Sequence, residues 1–142
     1  LLIMKKIFFI ALMLTGQLFA QIESGLYYSE DVYMSDVDDF MPYNTVKIEP
    51  TQYLDITNDG IRIFPQNTFG VYHAWKHIGM FAGYDTYILT NNTKVCHVPE
   101  ESIIYYFYEY EYDHFEFKRL IEFRNVTRIS DSVSGNYLME LE

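Results

Sequence analysis

The residues best suited to chemistry lie between Ser102 and Phe123, where tyrosines alternate along the chain and one arginine follows. A turn near Asp113-His114 pairs Tyr112 with Phe115, which sets Tyr110 against Phe117, Tyr108 against Arg119, Tyr106 against Ile121 and Ile104 against Phe123. Arg119 is then the only cation on a face that is otherwise aromatic and aliphatic. A guanidinium there, with Tyr106, Tyr108 and Tyr110 lining a cavity, suits the anionic head group of a small, partly apolar ligand. Its competing role is structural: stacking on a tyrosine, or pairing with an acidic residue near the end of the sheet.

Other candidate groups carry less. His73 and His77 form an H-x-x-x-H pair, which on a helix brings two imidazoles to one metal ion. On a strand the same spacing spans about 13 Å, too far for shared ligation, and the glutamate of the H-E-x-x-H motif is missing. Asp36, Asp38 and Asp39, with Glu30 and Asp31 upstream, offer oxygen ligands but lack the glycine and terminal glutamate of an EF-hand loop, so they read as a solvated acidic loop. Cys96 and His97 are neighbours in sequence, yet on a strand they point to opposite faces and form no nucleophile and base pair. No G-x-S-x-G, glycine-rich phosphate loop or C-x-x-C occurs. The expectation is a protein that is not an enzyme and needs no metal or cofactor. Asn91-Asn92-Thr93 and Asn125-Val126-Thr127 match the glycosylation sequon and are read as chance beside a bacterial-looking export signal.

The elements that position these groups follow from composition. Downstream of Ala20 only Ala74 and Ala82 are alanine, while Tyr, Ile, Val, Thr and Phe are abundant, a balance that favours strands over helices. Leu26 to Met34 is a first strand, the acidic run and Met41-Pro42 a loop, and Thr45 to Glu49 a short second strand. Tyr53 to Ile56 and Ile61 to Phe64 flank Thr57-Asn58-Asp59-Gly60, a hairpin whose glycine can take a positive φ; Ile56 then faces Ile61, Leu54 faces Ile63, and Asp55 faces Arg62 on the other side. A second hairpin, Tyr87 to Leu89 with Val95 to Val98 around a four-residue loop, puts Tyr87, Leu89, Cys96 and Val98 on one face, with Cys96 a small buried hydrophobe. Tyr137 to Leu141 supplies a last strand. Phe69 to Ala82 is ambiguous: Val71, His73, Trp75 and His77 alternate as a strand, the preferred reading, but a helical stripe also fits and allows one short helix.

The amino terminus reads as an export signal. Met4-Lys5-Lys6 is a basic segment, Ile7 to Leu14 an apolar one, and Leu18-Phe19-Ala20 a processing site, with Leu1-Leu2-Ile3 as spurious residues before the start Met4. Residues 1–20 are therefore expected to be a signal peptide and 21–142 a single β domain. The apolar run, interrupted by Gly16-Gln17, falls short of the roughly 20 residues of a bilayer span, so no transmembrane segment is expected in the mature form.

The chain of 142 residues has 49% hydrophobic content and a formal net charge of −10, which gives one ordered core and argues against phosphate-backbone binding, so nucleic acid is not an expected partner. With Cys96 the only cysteine there is no internal disulfide. The expected fold is a small all-β antiparallel meander of eight or nine strands, a closed barrel or a two-layer sandwich, periplasmic or extracellular. Its run of hairpins resembles lipocalin-like barrels at the level of architecture, which carries no function. The leading expectation is a non-enzymatic binding module for a small apolar or anionic ligand. The second is an envelope-associated interaction or structural protein whose exposed tyrosines contact a protein or glycan.

Overall fold

The protein is represented by a computed structural model, which describes residues 22–39, 41–81 and 84–134. Eleven antiparallel strands form one sheet: β1 (Gly25–Ser29), β2 (Asp31–Asp38), β3 (Met41–Ile48), β4 (Gln52–Ile56), β5 (Gly60–Pro65), β6 (Tyr72–Phe81), β7 (Tyr84–Leu89), β8 (Lys94–Val98), β9 (Ile103–Tyr112), β10 (Phe115–Arg124) and β11 (Thr127–Ser130). The fold is all-β, and the strand order is β11-β1-β4-β5-β6-β7-β8-β9-β10-β2-β3. The proposed signal peptide and the proposed strand at Tyr137 to Leu141 lie outside the described residues.

Among the described residues there are eleven strands against the expected eight or nine, because the expected first strand is divided and Thr127–Ser130, not expected as a strand, pairs with β1 as β11. The expected first strand splits at Glu30 into β1 and β2, and the acidic run Ser35 to Asp38 belongs to β2. Met41-Pro42 opens β3 rather than forming a loop. Proline is tolerated there because β3 is an edge strand, where a missing N–H breaks no ladder bond on the open side. Residues 72–81 are strand β6, not a helix: Trp75 pairs with Leu89 and His77 with Tyr87, and the alternation sets Trp75 and His77 on the face that carries Tyr87, on which Trp75 stacks at 4.2 Å.

The first and third hairpins have the predicted registers. Ile56 pairs with Ile61, Leu54 with Ile63 and Asp55 with Arg62. Gly60 is required by close approach and not by its φ: a Cβ there would lie 2.3 Å from the His73 carbonyl oxygen. In the β9–β10 hairpin Tyr112 pairs with Phe115, Tyr108 with Arg119 and Ile104 with Phe123, and both turn residues, Asp113 and His114, have positive φ as a tight two-residue turn requires. The second hairpin has a loop one residue shorter than expected, which moves its register by three residues, from Tyr87 facing Val98 to Tyr87 facing Val95. Tyr87 pairs with Val95 and Thr86 with Cys96, because the Thr93 carbonyl already accepts the Leu89 N–H and Asn92 takes a left-handed φ of 65°. That slip turns Cys96 to the face opposite Tyr87 and Leu89, where it is partly exposed and lies 3.2 Å from the Thr86 hydroxyl.

The sheet rolls over on itself without closing. Consecutive strands β1 and β2 are joined through Glu30 alone, yet they stand second and tenth in the strand order, so the two ends of the sheet are drawn together. Leu54, Ile56 and Ile61 from one end meet Val32, Val95, Ile104 and Phe123 from the other in a single core, each at most 2% exposed. Between the two alternatives left by the sequence, the closed barrel gives way to a sandwich-like fold-over of one open sheet. The edges β11 and β3 do not pair with each other. On β3, Pro42 and the positive φ of Asn44, beside a register shift between Met34 and Asp36, interrupt the regular edge that closure would need.

Candidate functional site

Register carries the aromatic row from the core to solvent along β9 and β10. Ile104 and Phe123 are buried, Tyr106, Tyr108 and Ile121 are half-buried, and Tyr112 and Phe115 at the tip are 73% and 67% exposed. The cause is length: β9 and β10 have ten residues each, whereas β4 and β5, which cover the base of the row, have five and six. Where that cover ends, Ile63 of β5, Asn91 and Thr93 of the β7–β8 turn, and Tyr106, Tyr108, Ile121 and Phe123 bound a groove of about 400 Å³. It is open along one side.

The four residues singled out from the sequence divide at this point. Tyr106 and Tyr108 line the groove, their ring centroids 6.0 Å apart. Tyr110 and Arg119 stand farther out. The Tyr110 ring is 6.0 Å from Tyr108 and stacks on Phe117 at 5.3 Å. Arg119 donates to the Tyr110 hydroxyl at 2.9 Å, lies 5.0 Å from that ring's centre, and pairs with Asp36 at 3.4 Å. Both members of this pair are about one-third exposed. The guanidinium therefore has the stacking and acidic partners of its structural role.

No local spacing in the sequence points to Asp36 as that partner. It sits on β2, which pairs with β10 so that Asp36 faces Arg119 across a sequence separation of 83 residues. Its acidic neighbours on β2 stand elsewhere in the ladder, Asp31 opposite Arg124 of β10 and Asp38 opposite Met41 of β3. Asn91, from a sequon read as chance, has a structural part here. Its Oδ1 accepts the Thr93 N–H at 3.1 Å, an Asx turn that sets the rim of the groove.

Two further polar sites surround the core. On the inner face, the His77 Nε2 and the buried Asp85 Oδ1 are 2.7 Å apart, and a bulge between His77 and Gly79 accompanies this diagonal reach. Burial pushes the His97 imidazole below its ordinary value, an effect that Asp85 and Glu100 partly offset. Burial likewise raises the Tyr87 phenol, while the Ile22 N–H that donates to its hydroxyl at 3.1 Å acts in the opposite direction. His73 pairs with Ile61 on the other side of β6, and Cys96 faces away from His97, so neither joins the His77–Asp85 pair. Among the described residues no group of three or more His, Cys, Asp or Glu side chains converges.

On the outer face of the β4–β5 hairpin, Asp55 is fully buried and pairs with Arg62 at 3.4 Å. It also accepts the Val133 N–H at 3.2 Å and the Ser134 hydroxyl, so the segment after β11 is clasped onto β4. This arrangement has the character of a structural lock. No helix among the described residues is long and apolar enough to cross a membrane, and no protein-family model, curated protein or solved structure matches the chain.

Proposed function

We propose that this protein is an exported, non-enzymatic binding module that holds a small, partly apolar ligand in the groove beside Tyr106 and Tyr108. The observation that carries the reading is the groove itself: about 400 Å³, within the range of small-molecule sites, with apolar walls and a few polar groups at its rim. Export to the periplasm or beyond is supported by the order of basic, apolar and small residues from Met4 to Ala20. The test is chemical-shift mapping with a library of small ring compounds. Saturable shifts that converge on Ile63, Thr93, Tyr106 and Ile121 and weaken at least tenfold in Tyr108→Ala are the expected result. Shifts scattered over the surface, or none that saturate, would overturn it.

The exposed tip of the row favours a second reading. Tyr112, Phe115 and Phe117 place aromatic surface in solvent at the end of β9 and β10, which suits contact with another macromolecule of the envelope. Under this reading Tyr112→Ser and Phe115→Ser abolish association with the envelope fraction without touching the groove.

A further inference from the structure

We infer that the groove takes an uncharged sugar ring, one unit of a neutral glycan, an inference that rests on the groove being the binding site. Charge comes first. Among the described residues, none of the side chains bounding the groove is charged. The nearest cation along the row, Arg119, is already held by Asp36 and by the Tyr110 hydroxyl, and the chain as a whole carries a formal net charge of −10. An anionic ligand at Arg119 would have to displace Asp36, Lys94 beyond the rim at Asn91 and Tyr108 stands with Glu109, and the net charge of the molecule opposes anions at long range.

Shape selects among neutral ligands. An alkyl chain gains most from full enclosure, but this groove is open and leaves one side of any occupant in water. A pyranose has an apolar C–H face and a rim of hydroxyls. With its face on Tyr108 it removes apolar surface from water while most hydroxyls stay solvated, which avoids the cost of burying them unpaired. The Asx turn uses the Asn91 Oδ1 and leaves the Nδ2 donors of that side chain for a ligand hydroxyl. Beyond Tyr108, the Tyr110 ring is already stacked on Phe117 and lies under the Arg119 guanidinium, so the stacking platform is Tyr108 alone.

The experiment uses the whole exported protein with four probes: cellohexaose, mannohexaose, a hexamer of galacturonate, and the neutral apolar dye N-phenyl-1-naphthylamine. Binding is followed by amide chemical shifts at 20 mM and 500 mM NaCl. The expected result is a neutral hexasaccharide that shifts Thr93, Tyr106 and Tyr108, changes affinity less than twofold with salt, and loses at least tenfold in Tyr108→Ala. Asn91→Asp retains the turn acceptor and removes the Nδ2 donors, so it should weaken the sugar severalfold in a folded protein even where Tyr108→Ala fails to fold. Occupation of the groove by galacturonate with strong salt dependence, or by the dye alone, would overturn the sugar assignment and leave the groove reading standing. No probe at the groove would overturn both.

Discussion

At the scale of the residue, the energetic weight of an ion pair follows its burial. Arg119 and Asp36 are each about one-third exposed, so water screens their attraction and the pair contributes at most about 1 kcal/mol. Arg119→Met should therefore change unfolding free energy by less than about 1 kcal/mol in urea melts; a loss of several kcal/mol would mean that the guanidinium is desolvated in the folded protein. Asp55 is the opposite case. Asp55→Ala removes a fully buried carboxylate and deprives the Val133 N–H and the Ser134 hydroxyl of their acceptor, with an expected cost of about 3–5 kcal/mol. Equal stability of the two variants would contradict the difference in burial. His97 gives a pH signature. Burial lowers its folded-state value, so between that value and the ordinary 6.5 the unfolded chain binds more protons, and stability rises with pH. Acidification below about pH 6.5 should destabilise the protein until the folded-state value is passed. His97→Gln should remove that part of the dependence, and an unchanged slope in the variant would exclude His97 as its source.

At the scale of the element, turns determine which face each side chain occupies. Gly60 lets β6 approach the β4–β5 turn, and a Cβ there meets the His73 carbonyl at 2.3 Å and the Tyr72 hydroxyl at 2.6 Å. Gly60→Ala should cost about 1–3 kcal/mol through forced displacement of backbone, read as a lowered melting temperature; a neutral or stabilising effect would show that β6 shifts freely. Turn length likewise separates the hairpin whose register is legible in the sequence from the one whose register is not. Asp113-His114 leaves an even, two-residue connection between Tyr112 and Phe115, and the whole β9–β10 ladder follows from it. At Asn91-Asn92-Thr93 the loop length is ambiguous by one residue, and one residue moves Cys96 to the opposite face.

At the scale of the whole molecule, stability is unevenly distributed because the fold-over covers only the bases of the long strands. Amide hydrogen exchange should be slowest in β4, β5 and the Ile103 to Phe107 half of β9, where the core residues lie, and fastest at the outer edges of β3 and β11 and at the Tyr112 to Phe115 tip. Strong protection along the outward amides of β3 would point to a partner strand and contradict an open edge. The all-β class and two hairpin registers were legible from the residues, because alternation, β-branched and aromatic content, and turn chemistry act between neighbours in sequence. The same local rules set Arg119 opposite Tyr108. That Asp36 faces Arg119, that Ile63 and Thr93 join Tyr106 and Tyr108 around a groove, and that the segment at Val133 and Ser134 closes on Asp55 were decided only in three dimensions. Each depends on which distant strands pair and how the sheet rolls, and those choices arise from summed burial over the whole chain rather than from any local spacing.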